Sequence, residues 1–216
     1  MSTLRDFYIH IAPSVQGCPV NLINNAIRSA AIEFCERTNM WKYAFPEQNI
    51  VAGTDTYTFT FPTGVADAMI SRPTYVEVNG LQVNPTNEED LDNLQYLWRD
   101  ATSKQPQLYY MDFDNTMILV PTPSENITDG LYAEAALRPT MTATTLPDWL
   151  FDNWSETIAS GALMRLHSMV GKVWADPQVV SMHRAKFKEG ISRAKSRTMK
   201  SFAKQGKTVQ PRSFWE

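Results

Sequence analysis

The sequence predicts an α+β protein, a bundle of three long helices with an inserted small antiparallel β-sandwich or barrel module and an extended C-terminal arm. Three observations lead there. Apolar residues recur at three and four positions near both ends of the chain, and they alternate at period two in between. The last dozen residues carry no helical pattern. At 216 residues, 43% of them apolar, the chain is long enough to hide roughly 70% of its unfolded surface. Intrinsic disorder is excluded by that composition.

The first helix spans residues 19–38. Pro19 suits its first position, Leu22, Ile23, Ala26, Ile27, Ala30, Ala31 and Phe34 form one stripe, and Asn39 can end it. From about residue 48, TYTFTF reads as a half-buried strand. TYVEVNGLQV is a hairpin turning at Asn79-Gly80, with Val78 opposite Leu81 and Val76 opposite Val83 on one face. QLYYMDFDNTMILVP is a second hairpin turning at Asp114-Asn115, which sets Met111 against Ile118 and Tyr109 against Val120. Between the two, Leu91, Leu94 and Leu97 fall at the spacing of a short acidic helix. LYAEAAL (131–137) reads as a closing strand, although its alanines leave it ambiguous.

A Ser/Thr/Pro linker, PTMTATTLP (139–147), precedes the return of the helical period. Pro147 and Asp148 open a helix whose stripe is Leu150, Trp154, Ile158, Ala162, Leu166, Met169 and Val173. Asp176-Pro177 restarts a last helix that should run to about Lys204. The parts are therefore 1–45, the N-terminal helical part; 46–140, the β-module; 141–204, a helical hairpin; and 205–216, the arm.

Charge is unevenly spread. Residues 183–212 hold ten Lys/Arg against one acid, while residues 1–182 hold ten against twenty-one, within a formal total of −3. An acidic body thus carries a basic C-terminal segment, which excludes a uniformly basic nucleic-acid coat. On a helical projection of the last helix, Phe187, Ile191, Ala194 and Phe202 make an apolar stripe. Lys186, Arg193, Arg197, Lys200 and Lys204 make a separate basic one. Arg184, Lys188 and Lys195 form a looser group. Such a stripe can be a solvated face, a DNA-facing surface or the complement of a neighbouring copy's acidic body. In the tail, Val209, Gln210, Pro211, Arg212 and Ser213 lead to Phe214 and Trp215, large aromatics that lose burial unless they dock.

Chemistry-bearing motifs are sparse. His10, His167 and His183 belong to no HExxH, and Cys18 and Cys35 to no CxxC. The two cysteines flank one helix, too far apart for a disulfide if it is continuous. GxSxG, Walker A and GxGxxG are absent. Glu88, Glu89, Asp90 and Asp92 read as a solvated helix start, and Asp112 and Asp114 as turn residues before catalytic ones. The reading is of a non-enzyme with no cofactor and no metal. No apolar run approaches the roughly 20 residues of a membrane helix, and no signal peptide is evident.

Four segments carry a family resemblance. GCPVNLINNAIRSAAIEFCERTNMWKY is similar to the opening helix of tailed-phage head-to-tail adaptors. GTDTYTFTFPTG, YVEVNG and PQLYYMDFDNTMILVPTPSE resemble the β-module of short-tailed-phage members. LPDWLFDNWSETIASGALMRLHSM with WADP resembles their paired C-terminal helices, and KFKEGISRAKSR with QPRSFW the helix end and portal-docking arm. The resemblance implies a structural adaptor at the head-tail junction of the virion, assembled in the host cytoplasm. It further implies a homo-oligomeric ring of 12 copies and an arm (Val209 to Trp215) on the portal protein. A downstream tail or nozzle protein would sit below, with genomic DNA in the lumen and no membrane partner. Two other readings of the residues stay open: a free DNA-binding protein using the last helix, and a cell-wall glycan hydrolase using Asp112.

Overall fold

The computed structural model describes residues 1–62, 65, 67–94, 97–112 and 115–199. Strand β1 (Ser2–Thr3), a 3-10 turn (Leu4–Phe7), the one-turn helix α1 (Tyr8–Ile11) and a second 3-10 turn (Ala12–Ser14) precede α2 (Val20–Thr38). Pro19 takes the cap position of α2 with extended backbone, one residue earlier than the sequence suggested. Asn39 ends the helix in the left-handed region at φ 48°, which a short polar side chain tolerates.

The strands that follow are β2 (Lys42–Ala44), β3 (Gln48–Ile50), β4 (Thr56–Thr58), β5 (Ala68–Val78), β6 (Leu81–Gln82) and β7 (Asn84–Pro85). Helix α3 (Glu88–Leu94) leads to β8 (Thr102–Ser103), β9 (Leu108–Asp112), β10 (Thr116–Val120), β11 (Thr122–Pro123), β12 (Ile127–Pro139) and β13 (Thr145–Leu146). Helices α4 (Asp148–His167) and α5 (Pro177–Met199) complete the described chain.

The fold is α+β, and among the described residues the strands divide into four sheets instead of closing one antiparallel barrel. The largest has the order β2-β12-β5-β6 with β3 also on β12, and the second has the order β4-β10-β9-β7. β7 pairs with β9 and β8 with β11 in parallel, so the module is not purely antiparallel. Both large sheets feed one core. Val76, Val78, Leu131 and Ala133 come from the first, and Tyr57, Tyr109, Met117 and Leu119 from the second.

Several registers differ from the sequence reading. In the second hairpin Met111 faces Met117 and Tyr109 faces Leu119, one position off the expected partners. The loop between the paired Asp112 and Thr116 holds three residues, not two, and Asn115 takes a left-handed φ of 60° at its end. In the first hairpin Val78 does pair with Leu81, and Val83 donates to the Val76 carbonyl. Leu81 is nevertheless exposed, because β6 is the sheet's edge, while Val76, Val78 and Val83 are buried. Leu91 is buried but Leu97, beyond the end of α3, is exposed.

The ambiguous LYAEAAL segment lies inside β12, which is central and not closing. It is hydrogen-bonded to β5 on one side and to β2 and β3 on the other. Its alanines have a physical reason: helix α2 lies against β12, and Ala133 and Ala135 are buried in the core where larger side chains would hold the layers apart. The 139–147 stretch is no loose linker either. Thr140 donates its amide to the Asp67 carbonyl, Arg28 donates to the Ala143 carbonyl, and Ala143 is fully buried.

Helices α2, α4 and α5 pack mutually. Two glycines sit where these helices touch. A Cβ on Gly161 of α4 would sit 2.8 Å from the Phe187 ring of α5 and 3.0 Å from Ala30 of α2. A Cβ on Gly190 of α5 would sit 2.2 Å from Thr157 Cγ2. Around this junction the Phe34 and Trp154 rings meet at 5.3 Å with a tilt of 45°, and Arg165 of α4 reaches Glu33 of α2 while donating to the Gly161 carbonyl.

Helix α4 stops at His167, earlier than the stripe ending at Met169 and Val173 implied. Val173 is 95% exposed in the following loop. The stop is made by His167, whose Nδ1 bonds the Trp174 carbonyl at 2.8 Å and whose own carbonyl accepts the Asp176 amide. Its ring stacks on His183 of α5 at 5.6 Å. Burial first, then His167 and Lys186, hold the His183 pKa below its ordinary value. His10, Glu156, Glu189 and Arg193 line the same cleft as His183.

Two outcomes follow. Gly190→Ala should destabilise the fold by about 1–3 kcal/mol through overpacking against Thr157, with Thr157→Ala in the same chain recovering part of the loss in denaturant titrations. Because the folded state depresses the His183 pKa, the unfolded chain takes up the proton more readily. Stability should hold above about pH 6.5, the ordinary histidine value, and fall as pH drops through it. A His183→Gln chain, followed by thermal unfolding across that range, should lose less.

Candidate functional site

The basic stripe rests on α5, whose position is fixed by Phe187, Ile191 and Ala194, all buried against the bundle. With that face turned inward, Lys186, Arg193 and Arg197 are exposed. The Arg193 guanidinium lies 6.0 Å from the Trp154 ring centroid, a cation–π distance that limits its freedom. Lys200 and Lys204 lie outside the described residues, as does Phe202. The whole arm, Val209, Gln210, Pro211, Arg212, Ser213, Phe214 and Trp215, lies outside them too.

The stripe is not uniformly basic in its surroundings. Lys186 and Arg193 line a cleft of about 430 Å³ shared with Glu156, Glu189, His10 and His183, where α4, α5 and the N-terminal segment meet. The looser basic group is split. Lys195 faces a different cleft, of about 550 Å³, beside Lys42 and Arg72 at the far end of α5. Lys42, Arg72 and Lys195 make no ion pair among the described residues. This second cationic cluster comes from three separate elements, so no linear spacing reveals it.

The acidic run is structural at three of its four members. Asn87 accepts the Asp90 amide as a helix cap, and its own side-chain amide donates to the Asp90 carboxylate. Asp92 accepts from the Trp98 indole and from Arg99, both at 2.7 Å, and these bonds hold its pKa below the usual carboxylate range. Glu88 accepts from the Tyr110 hydroxyl at 3.3 Å. Burial and Glu88 push that hydroxyl's pKa up to about 12. Asp112 is exposed at the end of β9 and shares a cleft with Glu88; Asp114 lies outside the described residues.

Cys18 and Cys35 are free thiols. Cys35 is fully buried, which pushes its pKa upward. Among the described residues no group of His, Cys, Asp and Glu converges as a metal site. No described helix is long and apolar enough to cross a membrane. Among the described residues the features that stand out are a cationic helix face, a second cationic cleft and an exposed apolar loop after α4.

Comparison with known proteins agrees with that emphasis. No curated protein matches the chain. A family model described as SU10 adaptor protein matches residues 4–209, from the first turn through the helical hairpin and into the basic segment. With nearly the whole chain matched, the protein belongs to the SU10 adaptor protein family and is a head-to-tail adaptor of a tailed phage.

Proposed function

We propose that the chain is a non-enzymatic ring component joining the portal to the tail of a short-tailed phage, with the DNA exit path through its lumen. The observation that carries this reading is the orientation of α5. Its apolar side is closed against α2 and α4 while Lys186, Arg193 and Arg197 are presented outward on a rigid helix. A cationic helix face on an otherwise acidic chain suits contact with a different surface of the next subunit, the geometry that closes rings. Twelve copies would surround the channel. The four-part division into 1–45, 46–140, 141–204 and 205–216 then assigns scaffold to the helices, a tail-facing surface to the β-module, and attachment to the arm.

In this reading residues 205–216 dock on the portal protein. Phe214 and Trp215 would be the apolar anchors and Arg212 a polar contact, ordered as the complex forms. A downstream tail or nozzle protein would occupy the opposite face. The component would be made in the host cytoplasm and carried in the virion.

Removing residues 205–216 should leave the unfolding temperature within about 3 °C of the full chain, about 1 kcal/mol for a chain of this size, while attachment to portal particles is lost. A truncated chain that still binds portal, seen by native mass or particle imaging, would sink the arm assignment. Charge reversal of Lys186, Arg193 and Arg197 together should impair ring closure. If it instead removes a steeply salt-dependent affinity of the isolated protein for duplex DNA, the free DNA-binding reading is favoured.

A further inference from the structure

The two cationic clefts on α5 differ in how their charge is balanced. At the first, Glu156 and Glu189 stand beside Lys186 and Arg193, two carboxylates to two cations. At the second, Lys42, Arg72 and Lys195 are all exposed, and none makes an ion pair among the described residues. The one carboxylate lining it, that of Glu36, already pairs with Arg138 at 3.2 Å, and Arg37 is held by Glu33. The C-terminal end of α2 also lies here, with Thr38 and Asn39 in the wall. A helix end supplies only about half a negative charge, so the three cations keep an excess of about two positive charges.

The fold fixes where these charges stand. Ala136 of β12 lies opposite Lys42 on one side and Arg72 on the other. Cross-strand partners share a face, so the two cations stand on one face of the sheet, two strand spacings or about 9–10 Å apart. Lys195 reaches the same cleft from α5, and Thr74 adds an exposed hydroxyl. Spread in this way, the charges do not converge on one small anion; they match a row of them. Positive charge also continues along the chain. Past Met199, which lines the cleft, the sequence holds Lys200, Lys204, Lys207 and Arg212 against Glu216 alone. Unbalanced cations in an extended group are the electrostatic footprint of nucleic acid. A duplex offers one phosphate charge per about 1.7 Å of its axis, a density that scattered carboxylates on a folded protein do not reach.

We propose that Lys42, Arg72 and Lys195 form a contact for the phosphate backbone of duplex DNA, separate from the Lys186 and Arg193 face. The balanced cleft then meets a neighbouring copy, and the unbalanced one meets DNA. This assignment rests on the reading of the chain as a ring around the DNA path, where a few phosphate contacts, weak in one copy, recur in each. Side chains that reach only phosphates carry no base information, as a path for DNA of any sequence requires.

Its test is the salt dependence of duplex binding by the full chain, read as fluorescence anisotropy of a labelled duplex of mixed sequence. Each phosphate contact contributes about 0.9 to the slope of log affinity against log salt. A Lys42→Gln/Arg72→Gln/Lys195→Gln chain should therefore lose about 2.7 from that slope, and a Lys42→Arg/Arg72→Lys/Lys195→Arg chain should keep it. Each single Gln substitution should lower it by about 0.9, so the result does not hang on the folding of the triple variant. A Lys186→Gln/Arg193→Gln chain should match the wild type. The cations past Met199 are present in every chain, so the differences report the cleft. Wild-type chain with no salt-dependent binding, Gln variants that keep the full slope, or an equal loss in the Lys186→Gln/Arg193→Gln chain would each overturn the contact. So would poly-glutamate displacing the labelled duplex as well as unlabelled duplex does, which would assign the cleft to protein carboxylates. Native mass of the same chains on portal particles reads the ring separately. Single copies there sink the ring reading and leave the measured slope intact, whereas rings built from a chain with no duplex affinity sink the contact and leave the ring.

Discussion

Where α4 meets α2 and α5, the helices touch through atoms that leave no room for a methyl group. Gly161 receives the Phe187 ring on one side and Ala30 on the other, and Gly190 receives Thr157. This closeness sets the angle and depth of α5, and with them which of its faces is buried. Everything outward on that helix, including the cationic side chains, inherits its direction from the contact. The N-terminal segment adds Phe7 against Phe151 at 5.2 Å, bracing the start of α4 from the other end.

The β-module is held to this bundle by shared core, not by a hinge. Phe45 lies within 5.5 Å of Phe59 and Phe61 and within 5.0 Å of Tyr43, linking the segment after α2 to the strand region around β4. A second, smaller cluster of Leu91, Trp98 and Val120 fastens α3 onto the other sheet, with the Asp92 bonds to Trp98 and Arg99 closing it over. Three of the four acidic residues of α3 are thus bonded within the fold, Asp90 to the Asn87 cap, Asp92 to this closure and Glu88 to Tyr110.

The long helices were legible because their periodicity is amphipathic and their ends carry Pro and Asn signals. The misjudged points have distinct causes. Val173 continues the α4 stripe in spacing, but His167 ends the helix by bonding Trp174 and Asp176 across the loop and stacking on His183 of α5, contacts that spacing does not encode. Register in the second hairpin turned on a loop of three residues where the Asp-Asn pair suggested two. β12 was obscure because alanine is a strong helix former that is depleted in strands, and only tertiary packing keeps it in the sheet. The candidate surfaces divide the same way. The Lys186, Arg193 and Arg197 stripe lies on one helix and follows from spacing alone. The cleft of Lys42, Arg72 and Lys195 gathers residues from separate elements, so only the fold reveals it.

The position of β12 bears on how the molecule carries load. This strand of 13 residues is bonded on both edges, and only eight residues separate its end from α4. Those eight are themselves tied to Asp67 and Arg28. A pull applied to the helical hairpin along β12 therefore meets many inter-strand bonds lying across the direction of tension, which resist shear together instead of opening one by one like a zipper. The strand works as a strut between the two halves, and strain entering at one end of the chain is shared across the sheet before any single bond gives way.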